Sequence, residues 1–161
     1  MSETASTKQL LIVALQDLHD AERAWGERGE KLRDGAGPRV RNFLAADGER
    51  SARQAKSLAK LLADLGDDTD GNPNIWLRAI LDDAERDIAS TIAGPLRDTA
   101  LIGAFRKGKQ AERVSYETAI ALAARLSEQQ AKTALVAIRD EEAATDAELA
   151  CLLRATVDSL D

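Results

Sequence analysis

The sequence predicts an all-α protein: one domain over residues 1–161, built from long helices paired as antiparallel hairpins. Three observations predict it. Ala and Leu dominate a 44% hydrophobic composition while aromatics supply 3%, the profile of a core packed from small and γ-branched side chains. Apolar residues recur three and four apart over long stretches, whereas alternating or β-branched runs are scarce. Gly and Pro punctuate the chain mainly between those stretches.

Ser6-Thr7-Lys8-Gln9 has the form of a capping box and opens a helix to about Arg33. Its stripe is Leu11, Leu15, Leu18, Glu22, Trp25 and Leu32. Gly35-Ala36-Gly37-Pro38 is a stop and tight turn, with Pro38 placed to begin the next helix. That helix runs from about Arg39 to Leu65 on a stripe that includes Val40, Phe43, Leu44, Asp47, Ser51, Gln54, Leu58 and Leu62. Gly48 weakens it locally by about 1 kcal/mol relative to Ala, and Gly66 is placed as its C-cap.

After a polar loop from Asp67 to Pro73, a shorter helix spans about Ile75 to Ile92, with Leu77, Ile80, Leu81, Ala84 and Ile88 on one face. Gly94-Pro95 ends it. The next long helix starts near Asp98 and reaches about Leu126, with Leu101, Phe105, Lys109, Glu112, Tyr116, Ala119 and Ala123 on its stripe. Ser127-Glu128-Gln129-Gln130 reads as a second capping box and opens the last helix, to about Leu160. Short links make the first and second, and the third and fourth, long helices into hairpins. One long crossover containing the short helix is the ferritin-like form of a four-helix bundle.

At 100° per residue, Glu141 and Glu142 fall on the stripe formed by Ala131, Leu135, Ile138, Leu149 and Leu152 of the last helix. The other long helices also place polar groups at mid-length on their inward stripes: Glu22; Asp47 with Ser51 and Gln54; Lys109 with Glu112. Helix midpoints meet at one level in a bundle, so five carboxylates and an ammonium should converge, with Arg50 at the edge. Buried carboxylates cost several kcal/mol each unless they are paired or bind metal. A di-metal carboxylate site usually takes one Glu from each of two helices and Glu-x-x-His from each of the others. The sole histidine, His19, lies about 60° from Glu22 around its helix and reads as a surface or edge residue. No Glu-x-x-His occurs.

The net charge of −6 argues against nucleic acid and against an anionic membrane surface. No apolar run approaches the roughly 20 residues of a membrane span. The first residues lack the pattern of a secretory signal, and the single cysteine, Cys151, gives no disulfide framework, so a cytoplasmic location is expected. The basic run Arg106-Lys107-Gly108-Lys109 reads as a solvated face apart from Lys109, and no phosphate loop, nucleophile elbow or Cys-based metal motif is present.

Two segments, Leu15-Gln16-Asp17-Leu18-His19-Asp20-Ala21-Glu22 and Asp140-Glu141-Glu142-Ala143-Ala144-Thr145-Asp146, resemble the first- and last-helix motifs of the YciE/YciF-type ferritin-like family, bacterial and stress-associated, of unknown biochemical function. The similarity also covers Leu65-Gly66 and Asp98-Thr99-Ala100-Leu101-Ile102 with Tyr116, and spans about residues 8 to 155. It implies a ferritin-like bundle, usually a dimer, with a candidate metal site at its centre. Glu22, Glu112, Glu142 and Asp146 match acidic positions of the family pattern. Where the family's third long helix has an acid followed by His, this chain has Lys109 and Gln110; where its second has His and, three residues on, Glu, this chain has Asp47 and Arg50.

Two functional expectations follow. In the first, Lys109 and Arg50 neutralise Glu22, Asp47, Glu112, Glu141 and Glu142 in a degenerate di-metal site, and the protein, a non-enzymatic homodimer with no cofactor, acts through protein contacts. In the second, an all-carboxylate site built on Glu22, Asp47, Glu112 and Glu142 binds iron or manganese for an oxidoreductase or metal-handling role. Outside the core, the short helix with Ile75, Trp76, Ile80 and Ile88 is the expected contact surface.

Overall fold

The computed structural model describes residues 4–160, in which five helices and no strand occur: α1 Thr7–Gly35, α2 Pro38–Asp64, α3 Ile75–Ser90, α4 Pro95–Arg125 and α5 Gln129–Val157. Helix α1 packs along α2, and α4 along α5. The two hairpins meet through α1 against α4 and α2 against α5, while α3 lies across α4 and α1.

The helix starts follow local chemistry. Ser6 caps α1 by accepting the Gln9 N–H at 3.2 Å. Pro38 and Pro95 each occupy a first-turn position, where the missing N–H costs nothing. Gly94-Pro95, expected to end the short helix, instead starts α4, three residues ahead of the expected Asp98. Thr91 ends α3, and Gly94, at φ 119°, makes the corner that only glycine takes easily. Asp98 then accepts the Gly37 N–H at 2.8 Å, tying the α1–α2 turn to the start of α4.

Helices α2 and α4 end in the same way. After α2, Gly66 is left-handed (φ 81°), and the Asp67 and Gly66 N–H groups donate to Leu62 and Ala63. After α4, Ser127 is left-handed (φ 59°), and the Glu128 and Ser127 N–H groups donate to Ala123 and Ala124. Both are Schellman closures. The expected capping box at Ser127 is therefore corrected: Ser127 terminates α4, and α5 begins behind Glu128 without a side-chain cap.

Helix α3 is held to α1 by polar contacts. Asn74 caps it by accepting the Leu77 N–H at 2.8 Å, and its own N–H donates to Asp20 at 2.6 Å. Arg78 pairs with Asp20 at 2.8 Å and Arg28 with Glu85 at 2.6 Å. Gly35 lets Ile88 approach: a Cβ there would lie 2.7 Å from the isoleucine side chain.

The apolar interior falls into two bodies. One gathers Trp25, Leu32, Val40, Phe43, Leu77, Leu81, Leu101, Phe105 and Leu149. The other gathers Leu11, Leu15, Leu18, Leu58, Leu62, Tyr116, Leu135 and Ile138. Along every long helix the polar mid-helix residues lie between the two sets.

Candidate functional site

Four helices supply the buried middle layer: Glu22 from α1; Asp47, Ser51 and Gln54 from α2; Lys109 and Glu112 from α4; Glu142 and Thr145 from α5. Each sits on the same stripe as the leucines before and after it, so the helical repeat that buries the core buries these groups too. Glu22, Lys109, Glu112 and Glu142 are wholly inaccessible to solvent.

Lys109 is the centre of the layer. Its Nζ lies 2.9 Å from Glu142 Oε2, 3.2 Å from Asp47 Oδ2 and 3.3 Å from Glu112 Oε2. These are charge contacts rather than aligned hydrogen bonds: Nζ and both Glu142 oxygens have no hydrogen-bond partner. The ammonium also stands 4.9 Å from the Trp25 ring centroid, a cation–π position. Gly108 makes room for that ring, since a Cβ there would fall 2.5 Å from Trp25 Cζ2. Trp25 Nε1 donates to Glu112 Oε1 at 2.7 Å, and Phe105 packs edge-on at 5.8 Å. Tyr116 donates its hydroxyl to Glu22 Oε1 at 2.7 Å.

The electrostatics of the layer follow from burial. Burial pushes the Glu22 carboxyl up to about 8, with Lys109 opposing and Glu142 adding to the rise. Burial also pushes Glu112 well above the carboxylate range against the pull of Lys109. For Lys109, burial works against the charge, but Asp47, Glu112, Glu142 and Glu22 outweigh it and hold the ammonium protonated. Tyr116 is raised by burial and by Glu22, and stays a neutral donor. At neutral pH the Glu22 carboxyl is therefore mostly protonated, and Glu112 is shifted in the same direction. Asp47 lies between two cations, with Oδ2 3.2 Å from Lys109 Nζ and Oδ1 2.7 Å from Arg50.

The expected residues divide. Glu22, Asp47, Glu112, Glu142 and Lys109 come together. Arg50 reaches the layer only at its edge, through Asp47. Glu141 stands outside: it is exposed and accepts from Gln54 Nε2 at 3.0 Å. Adjacent residues on a helix point about 100° apart, so Glu142 takes the inward position and its neighbour cannot. Asp146, a family-pattern acid, turns from the centre to Arg106 (2.8 Å) and Gln110 (2.5 Å). Of the expected solvated face, Lys107 is exposed, whereas Arg106 and Gly108 are corrected: Arg106 pairs with Asp146 and Gly108 is buried under Trp25. His19 is also corrected. It is 8% exposed, on the wall of a shallow groove between α1 and α2 with Arg23 and Ala55, and burial, then Arg23, lowers its pKa.

Sequence reasoning missed the Trp25 indole as a ligand of Glu112 and Gly108 as its seat. A tryptophan on a stripe reads as core whether or not its N–H is used. A glycine inside a helix was the one available signal.

For metal-ligating geometry, Glu22, Glu112 and Glu142 each offer an oxygen, all within 4.8 Å of one another. Glu22 Oε2 and Glu112 Oε2, like both Glu142 oxygens, accept no hydrogen bond. Among the described residues no imidazole belongs to this cluster; His19 lines the α1–α2 groove.

Fold and layer together define a class: an all-helical protein whose core is cut at mid-height by a sheet of buried acids around one lysine. Residues 6–159 match the model of a family described as a domain of unknown function, DUF892, and the chain belongs to that family. The crystal structure of the Escherichia coli stress protein YciF superposes with a TM-score of 0.92 at 24% identity, over 98% of this chain and 100% of that one. YcfI from Rhodopseudomonas palustris superposes at 0.85 with 20% identity, over 90% and 93%. At these identities the likeness is one of fold. The shared fold is consistent with the YciF-type resemblance of the first- and last-helix motifs. No curated protein matches the chain. Among the described residues no helix is long and apolar enough to cross a membrane.

Proposed function

We propose that the chain is a single-domain, ferritin-like four-helix bundle, with α3 in its crossover, whose di-metal position has become an internal ion-pair network centred on Lys109. In this reading it is not an enzyme and carries no cofactor. It acts in the cytoplasm as a stress-associated homodimer, through contacts with other proteins. One observation carries the reading: the Lys109 ammonium lies 2.9 Å from Glu142 and within 3.3 Å of Glu112, among the oxygens a dication would use. A positive charge there repels a metal ion and supplies part of the neutralisation that the acids need. The residues present fit a lysine better than a di-metal centre, which would also call for histidines.

A second reading has its own support. Three carboxylates with unpartnered oxygens within 4.8 Å of one another are the beginnings of an all-carboxylate iron or manganese site, with Asp47 as a further ligand. The experiment that separates the two is calorimetric titration with Mn²⁺ and Fe²⁺, alongside elemental analysis of protein purified without chelators. The ion-pair reading expects no stoichiometric binding by the natural protein and a gain of binding in Lys109→Ala. Tight stoichiometric binding by the natural protein, lost in Glu22→Ala, would overturn it. Sedimentation as a monomer at micromolar concentration would remove the homodimer.

A further inference from the structure

Away from the charged layer, the first half of α1 and the 67–74 loop enclose a groove of about 1030 Å³. It carries exposed apolar side chains: Leu10 is 46% exposed, Val13 45% and Ile75 80%. Leu10 and Val13 are three apart on α1, so they present one outward face. Ile75 begins α3 beside them.

The groove is built rather than accidental. Gln16 Nε2 donates to the backbone oxygens of Asp68 (3.1 Å) and Asp70 (3.3 Å), clamping the loop against α1. Gly71 passes so close that a Cβ would fall 2.7 Å from Gln16 Cβ. Trp76 Nε1 donates to Asp17 at 3.2 Å and holds the start of α3 to α1. A groove held this way needs little rearrangement to bind.

Its charge selects the occupant. Asp17, Asp67 and Asp70 line the groove, and no lysine or arginine does among the described residues. An isologous contact between two copies would bring this acidic rim against itself, a repulsive pairing. We infer that the groove docks a basic amphipathic helix of a partner protein, its apolar face on Leu10, Val13 and Ile75 and its lysines or arginines against Asp17, Asp67 and Asp70. Helix-in-groove recognition uses this division of labour: apolar anchors for affinity, rim charges for choice of partner. The inference uses nothing from the Lys109 layer and stands or falls separately from it.

The probe is a synthetic helical peptide of Leu and Lys at amphipathic spacing, titrated into the full ¹⁵N-labelled chain and followed by amide shifts. Its control is the same peptide with Glu for Lys. The expected result is saturable binding of the basic peptide alone, with shifts confined to the first half of α1 and residues 67–76. Val13→Asp should weaken it by about tenfold or more. Asp70→Lys should weaken it less and flatten its salt dependence. Both sites are exposed, and helical circular dichroism checks that each variant folds. Equal binding of the acidic peptide, shifts on another face, or unchanged affinity in Val13→Asp would each overturn the inference. So would conversion of a dimer to monomer by Val13→Asp, which would make the groove a subunit interface.

Discussion

The two apolar bodies and the charged layer between them use the same helices, the same stripes and the same degree of burial, yet they are stabilised by opposite logic. In the apolar bodies each leucine contributes independently, roughly 1.5–3 kcal/mol for full burial, whatever the pH. In the layer no group is favourable alone. Lys109 is kept charged only by the acids around it, and burial pushes two of those acids, Glu22 and Glu112, toward their protonated forms. Burial thus stabilises residue by residue in one region and only by mutual compensation in the other.

The comparison can be broken most forcefully at Lys109. Lys109→Met removes the buried cation that pairs with Glu142 and leaves Asp47 with Arg50 alone. Breaking a buried pair costs about 3–5 kcal/mol, so urea unfolding should show a loss of that order, larger at pH 8 than at pH 5, where Glu22 is protonated and no longer attracts the ammonium. A loss independent of pH would mean that Lys109 acts only as packing.

Leu58→Ala, in an apolar body, should cost about 2–5 kcal/mol by the same measurement. Here the loss should be equal at pH 5 and pH 8. The contrast between these two variants is the sharpest form of the comparison.

Glu22 tests the layer from the acid side. Its folded pKa of about 8 exceeds the ordinary value of 4.5, so the native state binds this proton more tightly than the unfolded chain. Stability should therefore fall as pH rises from about 4.5 to about 8 and level off above, at up to roughly 1.4 kcal/mol per pH unit for one group. Glu112, shifted in the same direction, adds to the slope. Thermal melts across this range should show a fall in the natural protein and a shallower one in Glu22→Gln. A stability that rises over the same interval would refute the protonated state of both acids.

The smallest effect is expected where the hairpins differ. Gly66 and Ser127 close α2 and α4 by the same left-handed turn, but Ser127 carries a Cβ into it. Ser127→Gly should stabilise the chain by roughly 0.5–1 kcal/mol, read as a rise in Tm without change in the pH profile.

The apolar stripes were legible in the sequence almost residue by residue. Leu11, Leu15, Leu18 and Leu32, and Val40 through Leu62, face the interior as the 3.6-residue repeat requires. The layer was legible for the same reason, since Glu22, Asp47, Lys109 and Glu112 lie on those stripes. What the repeat does not encode is direction beyond the helix surface. Glu141 and Glu142 are neighbours, and only the packing of α5 against α2 and α4 separates the inward one from the outward one. Gly94-Pro95 and Ser127 were misread because each signal has two meanings: Pro stops one helix and starts another, and Ser caps a start or, less commonly, occupies a left-handed end. The Arg106–Asp146 and Trp25–Glu112 contacts join residues 40 and 87 positions apart, beyond the reach of any local pattern.

The seat that Gly108 makes for Trp25 has an optical consequence. The indole is buried, its N–H is bound to one acid of the layer, and its ring faces the ammonium. Its excited-state dipole therefore lies in the field of Lys109, and its emission follows every change of charge around it. With Trp76→Phe removing the only other tryptophan, the fluorescence of the chain becomes a direct, label-free record of protonation or ion entry in the buried layer.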